Sequence, residues 1–183
     1  SIFVRGAASE LARTWTSMQS NVITAIIVIF LLLVILLKSF AMPLIILLVV
    51  PVASTGGIAA LAILNQFIKQ PLDMLTMLGF VILTGIVVNN AILLVEQTVL
   101  QVREEGMQIY DAIIEATRNR IRPIFMSTLT SLFGLIPLVI FPGAGSELYR
   151  GIGIVVFGGL ALSTLATLII VPPLLSVFSK SIK

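Results

Sequence analysis

The sequence predicts an all-α membrane protein: a polytopic bundle of five transmembrane helices with one amphipathic helix on the cytoplasmic surface. In this prediction residues 1–183 form a single transmembrane domain. Composition is the first basis, because 58% of the residues are hydrophobic and 10% are charged, whereas a soluble domain is about half apolar and about a quarter charged. The second basis is the grouping of apolar residues into five segments that approach or reach the length of a bilayer-spanning helix.

The predicted spans follow one another closely along the chain. They cover approximately residues 21–37, 44–64, 74–96, 123–140 and 151–175. The first two are joined so tightly that they must be antiparallel neighbours. Pro51 should kink the second span, and Pro172 and Pro173 should end or kink the fifth. Small residues recur four apart in these two spans, as at Gly56 and Ala60, and this spacing lets helices approach closely. The small residues could instead face lipid.

The third span contains two adjacent amides, Asn89 and Asn90, in an otherwise apolar run. From Met74 to Glu96 the helix would be about 34 Å long, with Asn89 about 10 Å inside the Glu96 end. Lipid offers no hydrogen-bond partner, so these side chains must find one in protein. The amides could also do no more than hold helices together. Asp73 is expected to cap the helix by accepting from its backbone N–H groups.

A separate surface helix is predicted at about residues 108–121. Apolar residues such as Ile113 recur there at helical spacing, and charged residues such as Glu115 and Arg118 occupy the other side. A solvated connector is compatible with the same pattern. The fourth span follows, and its first turns carry hydroxyls, including Ser127 and Thr128, that can bond to their own helix or face amides of another.

The positions of lysine and arginine predict the orientation in the membrane. With five spans, seven basic residues fall on one side and four on the other. The seven are Lys38, Arg103, Arg118, Arg120, Arg122, Lys180 and Lys183, and the four are Arg5, Arg13, Lys69 and Arg150. The side richer in positive charge is cytoplasmic. The N-terminus is therefore expected outside and the C-terminus inside, and an outside start predicts a further segment upstream.

Several chemistries are excluded by residues that the sequence lacks. Without histidine or cysteine it has no HExxH metalloprotease motif, no Ser-His or Cys-His pair and no disulfide. It has no Gly-x-Ser-x-Gly motif either, so we expect no enzyme, and no cofactor or metal is implied. Orientation in a membrane explains the net charge of +3 better than nucleic-acid binding does.

The third span also carries a recognisable motif. It is Gly85-Ile86-Val87-Val88-Asn89-Asn90-Ala91-Ile92-Leu93-Leu94-Val95-Glu96. This run resembles the motif of resistance-nodulation-division (RND) efflux pumps of the hydrophobe/amphiphile type. Other pieces fit in order: Ser39-Phe40 then Pro43-Leu44, Pro71-Leu72, Arg120-Ile121-Arg122-Pro123-Ile124, and Gly143-Ala144-Gly145-Ser146. The ordered set extends over nearly the whole chain.

The resemblance is to the C-terminal half of such a pump, where the five spans look like the eighth to twelfth of twelve. It implies that two aspartates in the fourth span of the N-terminal half take up and release protons. The equivalent positions here hold Asn89 and Asn90, and this chain lacks the lysine that some members carry in place of Asn89. By motif position, the family's relay arginine and hydroxyl would be Arg120 and Ser127, with Thr128 adjacent. These five residues form the predicted proton-coupling site.

The implied function is to help couple proton translocation to conformational change in a proton-motive-force-driven exporter of drugs or other amphiphiles. The implied location is a bacterial inner membrane, with a periplasmic N-terminus and a cytoplasmic C-terminus. The implied partners are the N-terminal half of the same transporter, other copies in a homotrimer, a periplasmic adaptor protein, an outer-membrane channel and the lipid bilayer. Two other interpretations stay open, an export accessory similar to SecD and SecF and a structural helical scaffold. SecD and SecF usually carry an acidic residue after the asparagine, where this sequence has Ala91.

Overall fold

The computed structural model describes residues 2–70, 72–141, 143 and 145–178, with side chains throughout these ranges except at 2–15, 18, 146 and 147. Predictions that depend on Pro71, Ala144, Lys180 and Lys183, and on the side chains at positions 5 and 13, therefore lie outside the described residues.

Five α-helices make up almost all of the described chain. They are α1 (Ile2–Leu37), α2 (Ala41–Phe67), α3 (Met74–Arg103), α4 (Ile109–Ile140) and α5 (Ser146–Val177). Each contains a segment that is long and apolar enough to cross a membrane. No β-strand occurs within the described ranges. The all-α, five-span prediction is confirmed.

The predicted surface helix is not separate from the fourth span. Both belong to α4, which continues through Pro123. A proline removes a single backbone N–H from the helix, and membrane helices tolerate this where neighbouring groups satisfy the freed carbonyl. For the same reason α5 continues through Pro172 and Pro173 to Val177, so these prolines do not end the helix. In the first turns of α4, Ile113 is buried and Glu115 and Arg118 are exposed, but the apolar side chains of Tyr110 and Ile114 are exposed as well.

Helix α5 lies at the centre of the bundle and packs against α2, α3 and α4. Of the residues in the most apolar segment of α5, 50% are buried, compared with 11% in the corresponding segment of α1. Helix α1 therefore lies at the edge of the bundle, with most of its apolar side chains exposed. Contacts between α5 and its neighbours decide how the polar side chains of α3 and α4 are placed.

The small residues of α2 and α5 lie at the contact between these two helices. A Cβ atom added to Gly56 would be 2.7 Å from the carbonyl oxygen of Gly158. A Cβ added to Gly158 would meet Ala60 and lie 2.6 Å from the Gly56 carbonyl oxygen. The two backbones thus touch where neither helix carries a side chain, which confirms that these small residues serve helix packing.

Two helix ends are held by side chains. Asp73 accepts the backbone N–H of Thr76 at 2.8 Å and caps α3, as predicted. At the other end of the bundle, Nη1 of Arg103 donates to the carbonyl oxygen of Leu37 at 2.9 Å. Leu37 is the last residue of α1, and the next residue, Lys38, has a positive φ of 50°. Arg103 thereby satisfies one of the unpaired carbonyls at the C-terminal end of α1.

Candidate functional site

Five buried polar side chains on α3, α4 and α5 form a group that we call the buried polar layer. They are Asn90, Thr128, Ser163, Thr164 and Thr167, each at most 9% exposed. Buried polar groups are costly unless they form hydrogen bonds. Their positions in otherwise apolar helices therefore mark this layer as the candidate site.

The two asparagines of the motif face different directions. Asn90 is buried at 9% exposure, whereas Asn89 is exposed. Successive residues of an α-helix are about 100° apart around the axis, so packing α3 against α5 with one amide inside turns the other amide away. The predicted pair is therefore one inward and one outward group on the same turn.

Thr128 is joined to α5 by a side-chain hydrogen bond. Its Oγ1 lies 2.9 Å from Oγ1 of Thr164, and Oγ1 of Thr164 donates to the carbonyl oxygen of Leu160 at 2.8 Å. Thr128 is 5% exposed and Thr164 is 3% exposed. Ser127, the other predicted hydroxyl, is exposed and donates to the carbonyl oxygen of Ile124 in its own helix at 3.0 Å.

The packing of α3 on α5 brings Asn90 to the height of these hydroxyls. Both helices run in the same direction, with contacts at Thr76 with Gly151 and at Leu83 with Gly159. A step of seven residues along α3, from Thr76 to Leu83, thus covers the same height as a step of eight residues along α5, from Gly151 to Gly159. One more step of this size reaches Asn90 on α3 and Thr167 on α5, and Thr167 is one turn from Thr164. The three helices therefore contribute polar groups at one level of the bundle.

Arg120 contacts a different amide from the two in the motif. Its Nη2 donates to Oε1 of Gln97 at 3.0 Å, which ties the start of α4 to the end of α3. One turn beyond Gln97, the side chain of Gln101 is 2% exposed, and its Oε1 has no hydrogen-bond partner in the described part of the chain. Asn90, Gln97 and Gln101 are spaced seven and four residues apart, so they lie along one side of α3.

The structure thus does not bring the five predicted site residues together in one place. Thr128 and Asn90 belong to the buried polar layer, Arg120 and Ser127 form bonds elsewhere, and Asn89 faces outward. Chemically, amides and hydroxyls donate and accept hydrogen bonds but stay neutral near neutral pH. The layer can therefore recognise a carboxyl group, but it cannot itself take up a proton.

Comparison with known proteins assigns the chain to a protein family. Residues 2–179, which include all five helices, match the model of the AcrB/AcrD/AcrF family. The chain belongs to this family. Members of the AcrB/AcrD/AcrF family are RND multidrug efflux transporters, so the resemblance drawn from the motif of α3 is confirmed.

Individual relatives in the AcrB/AcrD/AcrF family agree with this assignment. The chain is 38% identical over 173 residues to the multidrug resistance protein MdtC of Erwinia tasmaniensis and 36% identical over 173 residues to that of Erwinia amylovora, in each case over 92% of this chain and 16% of the relative. It is 36% identical over 181 residues to MdtC of Pectobacterium carotovorum, over 97% of this chain and 17% of the relative. The chain spans about one sixth of the length of these curated relatives.

Sequence reasoning missed two residues of this family member that contact the predicted site, Thr164 and Gln97. The spacing of seven residues between Asn90 and Gln97 is a signal that could have found Gln97, because it places both amides on one side of α3. Thr164 gives no such signal. Its hydroxyl meets Thr128 across 36 positions of sequence, a pairing that only the packing of α4 on α5 creates.

Proposed function

We propose that this chain is the C-terminal transmembrane part of a proton-motive-force-driven RND efflux transporter in a bacterial inner membrane. The family match, the relatives named as multidrug resistance proteins and the five apolar helices support the proposal. The cargo of the whole transporter would be drugs or other amphiphiles. We propose a transport role without enzymatic activity, since the sequence has no histidine or cysteine to form a nucleophile pair.

The observation that carries this proposal is the exposed amide of Asn89 in the middle of α3. It lies about 22 Å along the helix from Met74, at a depth where an unpaired amide facing lipid costs several kcal/mol. The same side of α3 exposes Leu78, Ile82 and Gly85. A Cβ atom added to Gly85 would meet nothing within 4 Å, so another helix has room to approach. We infer that a helix of the N-terminal half covers this side.

The proton carriers would come from that half of the transporter. The apolar stretches of α2, α3, α4 and α5, which are residues 44–64, 74–95, 123–140 and 151–175, contain no aspartate or glutamate. In the proposed transporter, two aspartates of the N-terminal half lie opposite Asn89 and Asn90, and Arg120, Ser127 and Thr128 complete the coupling site. Protonation of the aspartates weakens the hydrogen bonds that they accept from the amides and lets the halves shift. Each bond between helices is worth about 0.6 to 2 kcal/mol. Several such bonds together therefore favour one relative position of the two halves without making the other inaccessible.

The remaining parts of the proposal concern orientation and assembly. The N-terminal end of α1 would be periplasmic and the C-terminal end of α5 cytoplasmic, which puts the contact between Gln97 and Arg120 near the cytoplasmic side. The assembled pump would be a homotrimer that works with a periplasmic adaptor protein and an outer-membrane channel. The family match over residues 2–179 favours this pump over an export accessory or a scaffold.

The proposal is tested in the full-length transporter that carries this segment. The Asn89→Ala/Asn90→Ala variant is reconstituted in proteoliposomes, and export of ethidium is measured with and without an imposed pH gradient. We expect proton-driven export to be lost in this variant, because it removes both the outward amide of Asn89, which would contact the aspartates, and the inward amide of Asn90 in the buried polar layer. Asn119→Ala is the matched control, since Asn119 is an exposed asparagine near the start of α4, and it should export at the wild-type rate. Full export by the double variant would refute the proposal.

A further inference from the structure

The hydrogen bonds around Thr128 have a direction that the two threonines fix between them. A hydroxyl has one hydrogen to donate. The hydrogen of Thr164 goes to the carbonyl oxygen of Leu160 at 2.8 Å. The bond of 2.9 Å between the two hydroxyls must then use the hydrogen of Thr128, so Thr128 is the donor and Thr164 the acceptor.

This direction decides what Thr128 can offer to a third group. With its hydrogen committed to Thr164, Thr128 presents only the lone pairs of Oγ1, and it can accept but not donate. A protonated carboxyl group carries an O–H and matches an acceptor, whereas a carboxylate needs a donor. Most other hydroxyls of α4 show a different arrangement, as Thr130 donates to the carbonyl oxygen of Met126 in its own helix at 2.8 Å.

We propose that Thr164 is a positioning residue that holds Thr128 as a hydrogen-bond acceptor and thereby favours the protonated form of a carboxyl group brought against the buried polar layer. This inference rests on the proposed function, in which the N-terminal half supplies that carboxyl group. Without the hydroxyl of Thr164, the hydrogen of Thr128 is released and can be donated to a carboxylate. Hydrogen bonding to the charged form favours that form, so a lower pH is then needed to protonate the group.

No charged side chain of the packed helices lies at the level of this pair. The apolar stretches of α2, α3 and α5 contain no titratable residue, and those of α4 contain none after Arg122. The nearest charges along the chain are Arg122 and Arg120 on α4, about 9 and 12 Å away along the axis. On α3 the charged residue nearest in sequence to Asn90 is Glu96. On α5 the charged residue nearest in sequence to Thr164 is Arg150. A change in pH dependence caused by Thr164 would therefore act through Thr128.

The test uses the full-length transporter in proteoliposomes, with export of ethidium measured across a pH series. Thr164→Val keeps the shape of the side chain and removes the hydroxyl. We expect the pH of half-maximal export to move downward by about 0.4 to 1.2 units, the shift that one hydrogen bond between membrane helices can produce. Thr164→Ser restores the hydroxyl and should restore the wild-type profile. Thr130→Val, which removes an exposed hydroxyl, is the control and should leave the profile unchanged.

A second measurement separates positioning from a role in stability alone. In a Thr128→Val background, Thr164→Val should cause no further shift, because the residue through which it acts is absent. If Thr164→Val fails to fold, Thr164→Ala is used, and it must show the same downward shift. An unshifted or upward-shifted profile for the hydroxyl-free variant, or an equal shift in Thr130→Val, overturns the inference.

The wild-type protein distinguishes failure of this inference from failure of the proposed function. Wild-type export that is unaffected by a protonophore would refute the proposed function and the inference with it. Wild-type export that collapses with a protonophore, together with an unshifted profile for Thr164→Val, would refute the inference alone.

Discussion

Substitution of Gly158 by alanine tests the close backbone contact between α2 and α5. The added Cβ atom would meet Ala60 and lie 2.6 Å from the carbonyl oxygen of Gly56. An ordinary carbon–oxygen contact begins near 3.4 Å, and both obstacles belong to α2, one of them to its backbone. Helices α2 and α5 would therefore have to separate by at least about 0.8 Å, and a gap of this size removes a quarter to a half of the dispersion attraction between the atoms concerned.

The expected cost of this separation is about 1 to 3 kcal/mol, typical of overpacking a well-packed core. Alanine is also the better helix former by about 1 kcal/mol, and this gain partly hides the cost. Gly134→Ala is the matched control, because a Cβ atom added to Gly134 would meet nothing within 4 Å. That variant gains the same helix propensity without the clash, so the difference between the two variants isolates the packing cost.

The assay is the midpoint of thermal unfolding of the detergent-purified protein, followed by loss of the monodisperse peak in size-exclusion chromatography. At about 2 to 4 °C for each kcal/mol in a chain of this size, we expect Gly158→Ala to unfold about 2 to 12 °C below Gly134→Ala. If the two midpoints agreed within about 1 °C, α2 and α5 would not approach as closely as described, and the reasoning would fail.

Two further predictions concern single hydrogen bonds at the helix ends. Arg120→Met and Gln97→Ala should be non-additive in a double-mutant cycle read from denaturation midpoints, with a coupling of about 0.5 to 1.5 kcal/mol; additive effects would mean that the bond at 3.0 Å contributes nothing to stability. Asp73→Ala should cost about 1 kcal/mol by removing the cap of α3 and should speed hydrogen exchange of the Thr76 amide, whereas Asp73→Asn should leave exchange near the wild-type rate. Unchanged exchange in Asp73→Ala would contradict the capping role.

The features that the sequence alone could predict are local ones. Long apolar runs predict the five helices because a bilayer-spanning helix needs little more than length and apolarity. Asp73 predicts its own cap, since the carboxylate and the N–H of Thr76 lie three residues apart. Gly56 and Ala60 predict a close approach because four-residue spacing puts small residues on one side of a helix. None of these needs knowledge of a distant part of the chain.

The features that the sequence could not predict depend on how the helices are packed. The helical step of about 100° shows that Asn89 and Asn90 point apart, but only the rotation of α3 against α5 decides that Asn90 is the buried one. The bond between Thr128 and Thr164 crosses 36 residues and follows no local pattern. Pro123 resembles a helix start, but α4 continues through it, since one missing backbone N–H does not by itself end a membrane helix.

The opposite directions of Asn89 and Asn90 suggest how a family member could use this segment. Asn90 shares a level with the hydroxyls of Thr128 and Thr164, whose bond joins α4 to α5, while Asn89 lies on the side of α3 left open by this chain. A group that binds Asn89 from outside therefore acts on the same turn of α3 that carries an inner group of the layer. A rotation of α3 would move both amides together, because they lie on the same turn. In the function that we propose, an outer and an inner amide on one turn would link the protonation state of a partner helix to the buried polar layer, without any charge on this chain at that depth.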